Sequence, residues 1–300
     1  YEDYFLQVGG KLDVRNRSFF SYSADYMKLH EGLNTKDSEQ GIEPTRYDMY
    51  GLGMGYDHTF NRLSLGAHVS WRRLDFDNAI GFDGDEIYNQ DRDRDTYDLT
   101  LRAGYQFQAD KQAFVSYSMY QVDYREEFDR NGYLRGGDGY SVSAGLAFMV
   151  TGKVNGSIAA TYNDRSYDDL FLPNASGWGG TASLQWRATA LTSVTGSISS
   201  SVEDTTSLYA SGYLRNLYTL RVDHELRRSL QLHGFVSYSD SEYQQIADAP
   251  EFARLSDNSI RAGVGLSWFI NRWLFLNASY DWESFDSNVP GDDFEVNRIW

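Results

Sequence analysis

The sequence has no cysteine, only 4 prolines among 300 residues, and little lysine, since five of its 27 basic residues are lysine. Without cysteine, a disulfide framework and a thiolate metal site are both excluded. No uncharged apolar run approaches the 18 or so residues that a transmembrane helix requires. A basic excess is also missing, because the formal net charge is −16. This balance disfavours nucleic acid as a partner, since binding phosphates requires positive charge.

Aromatic residues and alternation are what the chain does have. Its 23 Tyr, 17 Phe and 7 Trp make up 16% of the residues, although the mean hydropathy of −0.55 alone would suggest a soluble acidic protein. In the stretch YDLTLRAGYQF (97–107), every odd position is apolar or aromatic, and every even position is polar or glycine. This period of two predicts a β-strand with one apolar and one polar face.

The same alternation recurs along the whole chain and indicates which solvent the apolar face meets. The apolar faces place aliphatic residues in the middle and Tyr or Trp near an end, for example in 63–71 and 274–282. That distribution is typical of a lipid-facing strand flanked by aromatic girdles. The opposite faces are mostly Gly, Ser, Thr, Asn and Gln. Such residues cover a soluble surface poorly but suit the inside of a barrel, so the apolar face is predicted to meet lipid.

The connections between strands alternate between short and long, as in outer-membrane barrels with short periplasmic turns and long external loops. Fourteen complete strands are predicted, at residues 4–12, 17–30, 46–57, 62–76, 94–107, 112–126, 138–149, 154–167, 177–187, 192–203, 213–225, 230–243, 258–269 and 272–285. A fifteenth begins at Glu295. We therefore predict an all-β, transmembrane, antiparallel up-and-down β-barrel that forms a single domain over residues 1–300.

The strand directions suggest a longer parent. The first strand runs towards the periplasm and the last is cut short at Trp300, so we expect a chain trimmed at both ends whose parent has about 16 strands. The alternative takes Trp300 as the terminal aromatic that the outer-membrane assembly machinery recognises. The strand that begins at Glu295 would then have only six residues, whereas a membrane-spanning strand needs about 9–11.

Several stretches resemble the beta-barrel porin 2 family of outer-membrane proteins. They are YDHTFNRLSL (56–65), NQDRDRDTYD (89–98), SGYLRNLYTLRVDHEL (211–226) and DSNVPGDDFEVNR (286–298). The resemblance covers essentially the whole chain. It implies a Gram-negative barrel, often linked to synthesis and export of exopolysaccharide, and it carries no catalytic residue to transfer.

Charged residues on the inward face are the main candidate functional residues. The alternation points ten of them into the lumen: Arg72, Arg102, Arg187, Arg221, Arg261, His68, Asp98, Asp223, Asp281 and Glu283. Such charges set selectivity in wide pores. They could equally brace the barrel wall as Arg–carboxylate pairs, a role for which the bidentate guanidinium is well suited.

Two further sets have competing interpretations. Asp91, Asp93 and Asp95 could bind Ca²⁺, which prefers several oxygen ligands, but Arg92 and Arg94 alternate with them and favour a self-paired loop instead. No metal site is therefore predicted. Three aromatic residues fall on the inward register and either form a stacking path for sugars or serve as an interfacial anchor and local filler: Phe235, Trp273 and Phe275.

The sequence predicts a channel rather than an enzyme. Of the five histidines only His30 lies near the outer rim, and no nucleophile motif surrounds it. We expect passive passage of saccharide, exopolysaccharide or small solutes across the Gram-negative outer membrane, without a cofactor. The alternative is a structural, adhesive or docking barrel of a secretion system. The expected partners are outer-membrane lipid and lipopolysaccharide, with polysaccharide and periplasmic export components as further candidates.

Overall fold

The structure, a computed structural model, describes residues 3–15, 17–31, 42–81, 83–205, 207–247, 249–250, 253, 255–289 and 292–299. Trp300 and most of the long loop predicted at 31–45 lie outside these residues. No helix in this described part of the chain is long and apolar enough to cross a membrane. One short 3₁₀ helix lies at Gln90–Arg92.

Strands make up nearly all of the regular structure. In chain order they are β1 (Tyr4–Arg15), β2 (Ser18–His30), β3 (Arg46–Phe60), β4 (Leu63–Phe76), β5 (Ala79–Ile80), β6 (Glu86–Ile87), β7 (Arg94–Gln108), β8 (Lys111–Tyr124), β9 (Gly137–Thr151), β10 (Val154–Arg165), β11 (Ala175–Arg187), β12 (Thr192–Asp204), β13 (Ala210–Arg227), β14 (Leu230–Gln245), β15 (Ser256–Phe269), β16 (Phe275–Ser287) and β17 (Phe294–Ile299).

All strands except β5 and β6 form one 15-stranded sheet, in which each strand pairs with its neighbours in the chain. Each ladder is antiparallel, so the predicted up-and-down all-β fold is confirmed. Strands β1 and β17 are the two ends of the strand order. β5 and β6 form a small separate hairpin inside the long loop after β4, which the sequence analysis did not predict.

One face of the sheet is apolar and uncovered by protein. Leu52 is 54% exposed, Ile158 is 56% exposed and Val264 is 53% exposed. A soluble monomer rarely exposes a continuous apolar surface of this kind. Near the long-loop end, aromatic rings on this face contact one another in a row across four strands, with centroid separations of 6.3 Å (Tyr117–Tyr140), 6.3 Å (Tyr140–Tyr162) and 5.3 Å (Tyr162–Trp178). This is the predicted arrangement of an aliphatic band with an aromatic girdle.

The sheet has one interruption, between β11 and β12. These strands pair only from Ala182↔Ile198 to Arg187↔Ser193. Their long-loop ends are paired on the other side only, β11 with β10 and β12 with β13. We call the separated segments, 175–181 and 199–204, the seam. At the seam β12 overlaps the polar face of β11, because a Cβ added to Gly179 would collide with the side chain of Ser200.

Candidate functional site

The polar face of the sheet carries the ten predicted lumen residues. Directly opposed residues of an antiparallel pair share a face, and the residues opposite these ten are mainly small or polar. Arg102 lies opposite Gly66 and Ser116, and Arg187 lies opposite Ser193. The pairing register therefore keeps these residues on the face that carries the small and polar side chains.

Several of the ten brace the wall. Arg261 donates to Asp281 on the neighbouring strand at 2.7 Å, and Arg221 donates to Asp223 two residues along its own strand, also at 2.7 Å. Glu283 accepts from Arg298 of β17 at 2.8 Å. Arg298 was not among the predicted lumen residues, because its strand is short and lies at the end of the chain.

Two more of the ten predicted lumen residues, His68 and Asp98, make weaker contacts. His68 Nε2 lies 3.3 Å from Asp57, which is a neighbour on the same face. Asp98 accepts a hydrogen bond from Ser70 Oγ at 3.2 Å. Both contacts are partly exposed, so these groups stay accessible from the polar side of the sheet.

Three arginines on the polar face have no carboxylate partner among the residues that the structure describes: Arg72, Arg102 and Arg187. All three residues are also exposed. The guanidinium of Arg102 lies over the ring of Phe114, 3.7 Å from its centroid. A cation–π contact of this kind orients the group without neutralising its charge.

Two of these arginines, Arg102 and Arg187, line polar cavities at the short-turn end of the sheet. The first, about 650 Å³, is lined by Arg102 together with Arg62, Lys111 and Gln112. The second, about 730 Å³, is lined by side chains of both signs on β11 to β15, among them Arg187, Arg221, Asp223 and His233. Basic and amide side chains therefore converge where the polar face approaches its short turns.

At the opposite, long-loop end a buried polar cluster lies on the same face. Arg165 is 1% exposed, and its Nε donates to Asp204 of β12 at 3.4 Å. The hydroxyls of Tyr124 and Tyr167 donate to the same carboxylate, each at 3.3 Å. We call these four residues the mouth cluster. Burial is the main cause of the raised pKa of Tyr167, which stays protonated and can donate.

The loop after β8 reinforces this cluster. Arg135 is 4% exposed and forms an ion pair with Asp129 of the same loop. Its guanidinium also donates to the carbonyl oxygens of Ser207 at 2.8 Å and Ala210 at 3.3 Å, in the connection from β12 to β13. The loop thus reaches residues four strands away and narrows the long-loop end of the polar face. Alternation could not predict this, because the contacts are between loops.

The three carboxylates considered for Ca²⁺ point to three different arginines. Asp91 pairs with Arg130 at 2.8 Å, Asp93 with Arg125 at 3.6 Å, and Asp95 with Arg73 at 2.9 Å. Across the described part of the chain, no group of three or more His, Cys, Asp or Glu side chains is placed to hold a metal ion. The carboxylates are thus paired with arginines from outside the 91–95 stretch, and Arg92 pairs with Glu31 instead. The predicted pairing of these carboxylates with Arg92 and Arg94 was therefore wrong.

The pKa shifts in this loop follow from burial and pairing. Burial tends to raise the pKa of Asp91, but hydrogen bonds from the side chain and backbone of Arg130 outweigh it and lower that pKa overall. Burial raises the pKa of Asp93, although the backbone N–H of Phe76 opposes the shift.

The three inward aromatic residues lie in different settings. Phe235 lies beside Arg261, whose guanidinium is 5.5 Å from its ring centroid, and Phe275 contacts the ring of Phe269. Trp273 lies in the turn before β16 and is 83% exposed. Strand β16 begins at Phe275 rather than at 272, because the Asn271 side chain accepts hydrogen bonds from the N–H groups of residues 273 and 274.

Solved structures of similar fold are outer-membrane receptors. The chain matches FpvA of P. aeruginosa bound to pyoverdines (TM-score 0.53, 10% identity, covering 95% of this chain and 49% of that one). It also matches the FrpB iron transporter of Neisseria meningitidis (TM-score 0.51, 8% identity, 96% and 52%). A third match is the ferric enterobactin receptor PfeA of Pseudomonas aeruginosa (TM-score 0.50, 8% identity, 99% and 61%). The chain spans about half the length of these proteins, and identities this low show the fold alone.

A search of the curated proteins found no match. The family comparison is specific: the model described as "Putative beta-barrel porin 2" matches residues 1–300. With the barrel receptors as structural neighbours, it places the protein in the Gram-negative outer membrane. The aliphatic band therefore faces lipid, and the polar face is the lumen side. The chain belongs to the beta-barrel porin 2 family.

Proposed function

We propose that the protein is a passive channel through which saccharides, including exopolysaccharide, or small solutes cross the outer membrane. The observation that carries this proposal is a set of exposed lumen-side arginines, Arg72, Arg102 and Arg187, for which the described residues provide no carboxylate partner. A charge that only braces a wall is paired, as Arg261 and Asp281 are at 2.7 Å. A charge left exposed and unneutralised is available to a passing solute.

The mechanism follows from the lining. Serine, threonine and glycine make the lumen wall wettable without binding a solute tightly, which favours movement over capture. Arginine side chains raise the local concentration of anionic groups, and Gln106, Gln112 and Asn155 offer hydrogen bonds to sugar hydroxyls beside the first cavity. No bond is made or broken, so the protein acts without catalysis.

Single-channel conductance of the refolded full-length protein in a planar bilayer tests this proposal. We expect a steady conductance that an acidic polysaccharide, added to one chamber, blocks in part. Folding must be shown separately by the circular dichroism of a β-protein. Correctly folded protein without any conductance would overturn the open-channel proposal.

A second candidate function is a docking or structural barrel of a secretion system, and one observation favours it. The mouth cluster and the loop of Arg135 narrow the long-loop end through buried polar contacts. If these contacts close the lumen, no solute passes and the protein acts through its surfaces. A conductance that appears only when the mouth cluster is disrupted would indicate a closed or gated barrel.

A further inference from the structure

The lipid-facing side carries an apolar groove centred on β11, β12 and β13. Its cavity volume is about 550 Å³, and its walls are almost entirely apolar. The outward side chains that line it are Phe148, Ile158, Ala182, Leu184, Ile198, Tyr218, Leu220, Val236 and Tyr238. A water-sized group occupies about 30 Å³, so the groove has room for a chain of a dozen or more methylene-sized groups.

The groove exists because the residues at its floor are small. Gly196 of β12 lies opposite Leu184 and Leu220, whose side chains form the walls. A Cβ added to Gly196 would meet no atom within 4 Å, so it would project into the groove. A larger residue would therefore fill this space at little steric cost.

A polar row borders the groove on its long-loop side. Ser200, Asn216 and Asp240 lie two positions from Ile198, Tyr218 and Tyr238 on the same strand faces, towards the long loops. Asn216 is the cross-strand partner of both Ser200 and Asp240. Ser200 Oγ donates to Asn216 Oδ1 at 2.6 Å, and Asn216 Nδ2 donates to Asp240 Oδ2 at 3.0 Å. An apolar channel ending at such a row matches the division between the tail and the head of an amphiphile.

This polar row begins at the seam, where β11 and β12 are no longer paired. Ser200 takes the place of the first missing backbone partner, because the Gly180 N–H donates to its Oγ at 3.1 Å. In hydrocarbon an unsatisfied backbone group costs several kcal/mol. A polar head seated at this border could bond to the side chains of the row while its tail lies in the groove below.

We propose that this groove is a binding site for one acyl chain of an outer-leaflet lipid, with the lipid head group beside Asn216 and Asp240, since β11 covers Ser200 at the seam. The occupant is a lipid because the groove opens on the face that meets the membrane and is lined by apolar side chains. The site is separate from the lumen, so it stands whether or not the protein conducts solutes.

Photo-crosslinking tests the proposal. The protein, refolded into lipid nanodiscs containing a phospholipid with a diazirine in its acyl chain, is irradiated and its labelled peptides are quantified. We expect labelling of 194–198 and 216–220 to exceed, by about fivefold or more, that of the exposed apolar face of β3 around Leu52 and Met54. Equal labelling of the two surfaces would overturn the proposal, because it would mean bulk lipid contact only.

Gly196→Leu provides the decisive variant and Gly234→Leu its matched control. Gly234 is also an outward glycine with room for a side chain, since its nearest contact is the Gly263 carbonyl oxygen at 3.7 Å, but it lies outside the groove. We expect Gly196→Leu to reduce groove labelling to the level of β3 and Gly234→Leu to leave it unchanged. Should Gly196→Leu fail to fold, Ala182→Leu fills the same groove from the facing strand.

Two results from these variants would contradict the assignment. Groove labelling that survives both Gly196→Leu and Ala182→Leu would mean that the lipid is not held there. Crosslinks that join two protein chains through the groove would identify a second copy, rather than a lipid, as its occupant.

Discussion

At the scale of single residues, pairing decides which lumen charge acts on a solute. Arg102 has an aromatic ring beneath it and, among the residues that the structure describes, no carboxylate partner, whereas Arg221 is held by Asp223. Removing Arg102 takes one uncompensated positive charge from the lumen. Removing Arg221 and Asp223 together takes one charge of each sign and should leave the lumen field almost unchanged.

We therefore predict that Arg102→Ala shifts the zero-current potential in a salt gradient towards cation selectivity. The double variant Arg221→Ala/Asp223→Ala should retain the wild-type potential within a few millivolts, because its net charge change is zero. Both are measured on the refolded protein in planar bilayers. Equal shifts for the two variants would mean that the pairing of the charges is irrelevant to selectivity.

Ser200 has a structural role that a single substitution can test. Ser200→Ala removes the hydroxyl that accepts the Gly180 N–H, and an unsatisfied buried donor costs about 1–3 kcal/mol. We predict amide exchange at Gly180 about tenfold faster, measured by hydrogen–deuterium exchange. Ser199→Ala is the control, since Ser199 points to the opposite face of β12; faster exchange in both variants would contradict this role.

At the scale of elements, sequence periodicity predicted the strands but not their contacts at the long-loop end. The fourteen complete predicted strands lie within three residues of the observed ends, because one apolar and one polar face produce the same signal in every strand. The seam leaves no such signal: β11 and β12 alternate whether or not they are paired. The glycines at 177, 179 and 180 are the only local indication.

For the site residues, sequence periodicity likewise predicted the face of the sheet but not the partner of each side chain. Alternation placed Arg261 and Asp281 on the inward face, but their pairing depends on the register between two strands. The mouth cluster was missed because Arg165 and Asp204 come from strands that are not neighbours, brought together where β12 overlaps β11. Contacts set by loop conformation and by strand overlap cannot be read from a period of two.

The mouth cluster should control the mobility of the long-loop end of β12. Breaking a buried ion pair by removing one partner costs about 3–5 kcal/mol. We predict that Arg165→Met speeds amide exchange in 199–204 by about a hundredfold, since 1.4 kcal/mol corresponds to a factor of ten. Exchange in the short-turn half of β12, residues 192–198, serves as the internal reference, and a uniform change across β12 would contradict a local lock.

The loop after β8 should remain in place until strongly acidic pH. The pKa of Asp91 is lowered in the folded protein, so the pair with Arg130 contributes stability above the ordinary value of about 3.9 and loses it as the pH falls through the folded-state value. We predict protection of the Arg130 amide, after correction for intrinsic exchange, from pH 7 down to about 4. Asp91→Asn should lack that protection throughout; loss near pH 6 in the wild type would point to another group.

At the scale of the whole molecule, charge is distributed unevenly along the axis of the barrel. The charged side chains that line the short-turn end of the lumen are Arg62, Arg102, Lys111, Arg187 and Arg221, which Asp110, Asp223 and Glu225 offset only in part. The long-loop end carries exposed carboxylates, among them Asp83, Asp85 and Glu86, together with the narrowed mouth. A polyanion should therefore be attracted to one entrance and excluded from the other.

We predict that dextran sulfate blocks the current when added on the short-turn side and has little effect from the long-loop side. Orientation in the bilayer is established beforehand by proteolysis of the long loops from one chamber. Uncharged dextran of the same size should show no such preference, because its entry depends on width alone. Equal block by dextran sulfate from both sides would contradict the axial asymmetry.

The seam also has a mechanical consequence for the whole sheet. The β11–β12 ladder joins less than half of either strand, whereas the ladders on both sides of it run almost the full strand length. Force or heat that separates the sheet should therefore act first at this ladder. The molecule would then come apart as two hairpin arrays, β1–β11 and β12–β17, joined by the turn after Arg187, and during membrane insertion the closing of this joint is expected to be the last pairing step.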